Sequence, residues 1–237
     1  MDSLPQEIID KIIDNLPAWN LLSSSLVARR WRERSQQRAL NFILFSSEYR
    51  VNIWHTVTQR NSDRILSYVQ AVKFNCIAKW NDPALFGHVL RKFTSLTTLE
   101  VFQTEILDDM LEQISCGEFR KTITTLHLSY TYCSLSTTIS MIIAFPNLQN
   151  LTIGFFETAP TEETPACRVL PQRRLLDRLH VYGRADRTIQ ALANVHFASR
   201  HLVLDIQSRN IYNLLVISSA TLVELELIGV CSLSVDH

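Results

Sequence analysis

The chain has 237 residues, with 23 Lys+Arg against 23 Asp+Glu, so its formal net charge is 0. That balance argues against a nucleic-acid binder driven by bulk electrostatics, because such domains carry a clear basic excess. Apolar residues make up 46% of the chain, enough to bury a sizeable core and to argue against wholesale disorder. There are only five glycines, and the closest two, Gly154 and Gly183, are 29 positions apart. Neither a GxGxxG turn nor a GxxxxGK[ST] phosphate cradle can therefore exist in the chain. The five cysteines, Cys76, Cys116, Cys133, Cys167 and Cys231, are odd in number and form no CxxC pair. The N-terminus is polar and helical in pattern rather than leader-like, so the thiols are expected to be reduced, in the cytosol or nucleus. The longest apolar runs, such as Met141 to Phe145, are far too short to cross a bilayer.

In chain order, the first predicted element is an amphipathic helix. Ile8, Ile12 and Leu16 recur at four-residue steps, and Ile9 and Ile13 widen the stripe. Ser3 is the expected N-cap, with Gln6 as capping-box partner and Pro5 in the first turn. Pro17 stops the helix after Leu16. A second helix is expected over Trp19 to Val27, with Leu22 and Leu26 in step, and a third over Arg29 to Arg38, with Trp31 as its only large apolar residue. Three helices in so short a span bury too little surface to be self-sufficient. A broad apolar stripe on such a bundle points to a partner. The basic run Arg29, Arg30, Arg32, Arg34 and Arg38, interrupted by Glu33 and Gln36-Gln37, is read as a solvated helix face, since one short patch in a neutral chain gives little phosphate affinity.

Leu4-Pro5-x-Glu7-Ile8, followed by Ile12, Leu16, Leu22 and the ending Leu26-Val27-Ala28-Arg29-Arg30-Trp31, resembles an F-box. The resemblance covers about 35 residues and keeps both ends of the motif at the expected separation. It implies binding to the Skp-type adaptor of an SCF ubiquitin ligase and, through it, to a cullin. It also implies that Leu4, Pro5, Ile8, Ile12, Leu16, Leu26, Val27 and Trp31 form or support that interface. The loop Pro17-Ala18-Trp19-Asn20 lacks the acidic residue often found there. The F-box is assigned to residues 1–38.

The rest of the chain, 39–237, has an internal period. The pattern apolar-x-x-apolar-x-apolar occurs with its middle residue at Ile43, Val72, Leu99, Leu126, Leu151, Leu179 and Leu225, with gaps of 29, 27, 27, 25, 28 and 46. The last gap is close to two units. It contains a weaker copy around His201 to Ile206, whose register over 199–207 is uncertain because no apolar residue precedes it at the right offset. A period of 20–29 residues with LxxLxL signals a leucine-rich repeat: each short strand turns one face inward, the chain returns on the other side, and stacked units share one core. Return helices are expected over Ala84–Phe93, Asp108–Ile114, Thr137–Ala144, Thr188–Ala193 and Ile211–Ser218. Glu157 to Pro171, with three prolines and three glutamates, reads as an irregular surface loop.

This region resembles the repeats of fungal-type F-box proteins with degenerate leucine-rich repeats. The implied fold class is α/β: a three-helix F-box followed by a solenoid of about seven or eight units, with one curved parallel sheet and helices on its convex side. One departure is that Thr104, Thr131, Phe156 and Arg184 stand where the family places a ladder of Asn or Cys, so that ladder is expected to be absent or replaced. No obvious polar capping helix follows the last predicted strand before His237, and the expectation is a longer native chain or a trimmed end.

Stacked strands would align Lys73, Glu100, His127, Thr152, His180 and Glu226 in one row on the concave face, and Asn75, Phe102, Ser129, Gly154, Tyr182 and Ile228 in the next. Mixed charge beside Phe102 and Tyr182 is the pattern of a protein-binding surface. Phe102, His127, Tyr182 and Glu226 are thus the candidate target contacts. The seven histidines fall in no HExxH or HxE…PCxxC motif, and no GxSxG exists. No catalytic residue, metal or cofactor is expected. The sequence therefore reads as a non-catalytic target receptor within an SCF-type ligase. The alternatives are a repeat scaffold outside such a complex, and a hydrolase or transferase using exposed His and Glu on the concave face, which a bound metal or a deep pocket lined by His127 and His180 would favour.

Overall fold

The computed structural model describes residues 4–60, 63–75, 82–104, 106, 108–129, 135–154, 174–183, 192, 194, 196–205 and 211–228. The chain opens with three helices, α1 (Gln6–Asp14), α2 (Ala18–Val27) and α3 (Arg29–Leu40). Pro5, at φ −56° and ψ 147°, is itself the residue preceding the first turn of α1, and no side chain caps it. Its fixed φ and missing N–H suit that boundary. The expected cap Ser3 lies outside the described residues. Pro17 plays the same part for α2.

The three helices close a small core of their own. Ile9, Ile13 and Leu21 are buried, with Leu16, Trp31 and Ala39 packed against them. The α2–α3 contact also holds a buried hydroxyl pair, Ser24 and Ser35, 2.8 Å apart, with Ser24 bonded to the Leu21 carbonyl. Arg38 donates to the Ile13 and Leu16 carbonyls at the end of α1, satisfying acceptors that a helix terminus leaves open. Arg34 grips Asp14 with two bonds of 2.8 and 2.7 Å, and this partner holds the Asp14 carboxyl below its usual range. With Arg30, whose Nε donates to the Gln6 Oε1 at 3.4 Å, three members of the basic run thus tie α3 to α1.

The remaining elements are β1 (Phe42–Phe45), α4 (Glu48–Arg60), α5 (Asp63–Leu66), β2 (Ala71–Asn75), α6 (Pro83–Leu90), β3 (Thr98–Phe102), α7 (Asp108–Cys116), a 3-10 turn (Glu118–Lys121), β4 (Thr125–Ser129), α8 (Leu135–Ala144), β5 (Asn150–Gly154), β6 (Arg174–Tyr182), β7 (Phe197–Asp205), α9 (Ile211–Ser218) and β8 (Glu224–Ile228). The eight strands form one sheet in the order β1 to β8, and every neighbouring pair is parallel. Each strand adds beside its predecessor, so the order never reverses.

Register follows the apolar period. Ile43, Val72, Leu99, Leu126, Leu151, Leu179, Leu202 and Leu225 stand in one row. Phe45, Phe74, Val101, Leu128, Ile153, Val181, Leu204 and Leu227 stand in the next. Both rows are buried from β1 to β7, in one core with Val51 of α4, Phe86 and Val89 of α6, Met110 and Ile114 of α7, Ile142 of α8 and Leu214 of α9. The helices therefore cover one face of the sheet and leave the other open. At β8 the inward Leu225 and Leu227 are exposed, because among the described residues β8 is the sheet's edge.

The weak copy has a definite place. Leu202 pairs with Leu179 and with Leu225, so the gap of 46 is two units of 23 residues. Ser199 occupies the position held by Leu96 or Ile123 in other units. It is fully buried, its N–H donates to the Ser218 hydroxyl at 3.3 Å, and its own hydroxyl donates to the His201 carbonyl at 2.7 Å. A satisfied serine thus replaces an apolar residue.

A ladder also ties the turns together, at the entry of each strand rather than after it. The carbonyls of Asn41, Gln70, Thr97, Thr124 and Gln149 each accept two N–H groups from the following unit, at 2.8–3.1 Å. Side chains extend it: Thr97 donates to the Gln70 carbonyl, Thr122 to that of Leu96, Asn147 to that of Lys121 and Thr221 to that of Ser199. At the first of the four positions that a ladder of Asn or Cys would occupy, Thr104 is buried and bonds locally to the Phe102 carbonyl at 2.8 Å. Thr131, Phe156, Arg184 and the predicted loop 157–171 lie outside the described residues.

The expected return helices at 84–93, 108–114, 137–144 and 211–218 correspond to α6, α7, α8 and α9. That at 188–193 falls almost wholly outside the described residues. Helices α4 and α5, in the first unit, had no counterpart among the predicted elements.

Candidate functional site

Two surfaces could carry function, one on each part of the chain. On the helical module the isoleucine stripe of α1 divides. Ile9 and Ile13 point into the small core, whereas Ile8 (43% exposed) and Ile12 (39%) face solvent together with Leu4. A helical step of 100° places residues 8 and 9 on adjacent flanks, so a five-residue stripe is wide enough to serve a core and a second surface. Helix α2 adds Leu26 (81%), Val27, Leu22 and Trp19 (79%), all exposed. Pro5 is exposed, while Leu16 and Trp31 are half-buried and pack against the module's core. Of the eight residues singled out in the motif, six are therefore on the surface and two lie beneath it. Trp19 and Leu22 are exposed apolar residues of the same helix that were not among the eight; their signal was the apolar content of α2 without enough core to absorb it.

The second surface is the open face of the sheet. Leu44, Lys73, Glu100, His127, Thr152, His180, Val203 and Glu226 stand in one row. Asn75, Phe102, Ser129, Gly154 and Tyr182 stand in the next. The first predicted row is reproduced with Leu44 and Val203 added; the second is reproduced from Asn75 to Tyr182, while Ile228, its expected last member, pairs in register with Asp205. All four candidate target contacts, Phe102, His127, Tyr182 and Glu226, lie on this face, but they stand in different states.

Phe102 carries the Lys73 ammonium 5.2 Å above its ring centre, and Lys73 also pairs with Glu100 at 3.2 Å. Tyr182 reaches back across β5 to β4, where its hydroxyl donates to Ser129 at 2.5 Å. Only glycine permits this path: a Cβ on Gly154 would fall 2.0 Å from the Tyr182 ring. Tyr182 is a brace over three strands rather than a projecting anchor. Gly154→Ala is expected to displace the ring and cost about 1–3 kcal/mol. Tyr182→Phe, losing only the hydroxyl bond, should cost about 0.5–1.5 kcal/mol. Urea unfolding of the two variants checks that order, and an unaffected Gly154→Ala protein would contradict it.

His127 is half-buried between these groups. Burial pushes its pKa below the ordinary 6.5, Glu100 opposes the shift, and Lys73 adds to it. The unfolded chain therefore takes up a proton at a higher pH than the folded one. The contribution is fully present above pH 6.5 and is lost as the pH falls from there through the lower folded-state value. Thermal unfolding between about pH 7.5 and about pH 5.5 should show a smaller acid loss in His127→Gln than in the unaltered protein. An identical loss in both would rule this out.

At the far end of the open face a cleft of about 460 Å3 lies between β5 and β8, lined by Asn150, Asp177, Arg178, His201, Leu202, Val203, Glu224 and Glu226. His127 and His180 do not line it. Asp177 is held by Arg200 at 3.0 Å, and Glu224 by the His201 Nδ1 at 2.9 Å. Among the described residues no group of three or more His, Cys, Asp and Glu side chains is arranged to hold a metal ion, and no helix is long and apolar enough to cross a membrane.

Comparison with known proteins gives two findings. Residues 1–42 match the F-box domain family, a span that ends with the first residue of β1. A putative F-box protein of Arabidopsis thaliana is 24% identical over 230 residues, covering 96% of this chain and 48% of that protein. The chain thus spans about half the length of this curated relative.

Proposed function

We propose that the chain is the target-recognition subunit of an SCF-type ubiquitin ligase, working in the cytosol or nucleus. The observation that carries this reading is the divided stripe of α1 within the F-box match. F-box domains generally bind Skp-type adaptors, and here Leu4, Pro5, Ile8 and Ile12 around α1 and Leu26 and Val27 at the end of α2 are all exposed, while Ile9, Ile13 and Leu21 fill the module's core. Leu16 and Trp31, packed against that core, would support the interface.

On this reading the chain has no catalytic residues. It raises the effective concentration of a target near a ubiquitin-charged enzyme. The sheet region is a degenerate leucine-rich repeat, supported by one strand per unit of 23–29 residues and by the ladder at each strand's entry. Its open face holds the target, because strand side chains there keep fixed spacing at little ordering cost.

The test is a paired scan of target capture, with adaptor binding measured on the same samples. Phe102→Ala and Glu226→Ala on the open face are compared with Tyr49→Ala and Tyr212→Ala, both exposed on the helical face. Capture should fall by roughly tenfold or more in the open-face set alone. Loss confined to the helical set would overturn the assignment of the open face.

A further inference from the structure

This inference deepens that reading and rests on the open face being the target surface. From Lys73 on β2 to Tyr182 on β6, several groups on that face are already engaged with one another. Lys73 is shared by Glu100 and Phe102, Tyr182 by Gly154 and Ser129, and His127 sits half-buried among them. The cleft between β5 and β8 differs. Its Asp177 and Glu224 have partners, but among the described residues neither Arg178 nor Glu226 takes part in an ion pair, and both are exposed.

Their placement is fixed by register. Arg178 on β6 pairs in register with His201 on β7, and His201 with Glu224 on β8. Glu226 stands two residues further along β8, beside Val203. The two charges thus rise from strands two apart and are staggered by two residues, which puts their backbone positions roughly 11–12 Å apart at the usual strand spacing and rise. Between them Val203 lines the cleft, apolar and 4% exposed. Val203 thus contributes an apolar floor rather than a free contact surface, and the exposed groups that a partner would meet there are the two charges.

We propose that this cleft is the charge-reading subsite for the target: an extended segment that pairs a Lys or Arg with Glu226 and an acidic residue with Arg178. Opposite charges two positions apart on an extended chain fall on one side, about 6.6 Å apart, and long side chains span the rest.

The experiment uses the full chain and a fluorescent nine-residue peptide of Gly, Ser and Ala carrying one Asp and one Arg two positions apart. The control peptide has Asn and Gln in their place. The unaltered protein should bind the charged peptide at least about fivefold more tightly than the neutral one, and the difference should shrink with salt. Arg178→Glu and Glu226→Arg should each abolish the preference. The double exchange should restore it, because the peptide can then lie in the opposite direction. Equal binding of the two peptides, or a preference untouched by either reversal, would overturn the subsite. Adaptor binding is measured on the same samples and decides the receptor reading separately: its absence in the unaltered protein would sink that reading, while the peptide comparison still decides the cleft.

Discussion

Leu126→Asp is expected to unfold the sheet region. Leu126 is fully buried in the middle of the row running from Ile43 to Leu225. Truncating such a leucine costs about 2–5 kcal/mol, and a carboxylate left there without a partner adds several more. The sum rivals the total stability of a typical domain, about 5–15 kcal/mol. Because neighbouring units share one core, the damage should spread to the strands on either side. Thr152→Asp, on the neighbouring strand but on the open face, in register with His127, should shift stability by no more than about 0.5 kcal/mol. Circular dichroism melting curves distinguish them. A cooperative transition in Leu126→Asp close to that of the unaltered protein would mean that the rows do not form a continuous core.

The second large effect separates the two flanks of α1. Ile13→Ala should cost the helical module about 2–5 kcal/mol, since Ile13 is fully buried with Ile9 and Leu21. Ile12→Ala, one residue away and exposed, should leave stability nearly unchanged. It should instead weaken adaptor binding by roughly thirtyfold, as loss of a central apolar contact does at an interface. Hydrogen exchange of the module together with adaptor affinity gives both readings on the same proteins. Equal effects of the two variants on affinity would show that binding senses only whether the module is folded.

The parallel sheet was legible in the sequence because its signal is repeated. Each unit places apolar residues at the same three positions, and no single residue has to carry the assignment. The signal thinned at Ser199, where a hydroxyl sits in an apolar slot, and only its bonds to Ser218 and His201 show why it is tolerated. Helix α4 escaped notice for a related reason. It buries only Val51 and Thr58, with Trp54 half-buried, among thirteen mostly polar residues, so its apolar face is too narrow to stand out. The stripe of α1 was visible, but not its division, since Ile8 and Ile9 differ only in what lies opposite them. Least legible was the behaviour of the open face. The alignment of Phe102, His127, Tyr182 and Glu226 followed from the period. That Tyr182 crosses Gly154 to reach Ser129, and that Lys73 covers Phe102, depends on side-chain paths across two or three strands. The cleft beside Glu226 escaped notice for the same reason: it needed Arg178 and His201 in register, and the weak seventh repeat had left that register open.

The central claim is that the exposed apolar residues of the helical module bind a Skp-type adaptor, and titration calorimetry of the full chain with that purified adaptor tests it most directly. The account predicts saturable one-to-one binding that is abolished in Leu4→Ala/Pro5→Ala, while the melting transition of the sheet stays where it was. Absence of binding by the unaltered chain, or undiminished affinity in the double variant, would contradict it.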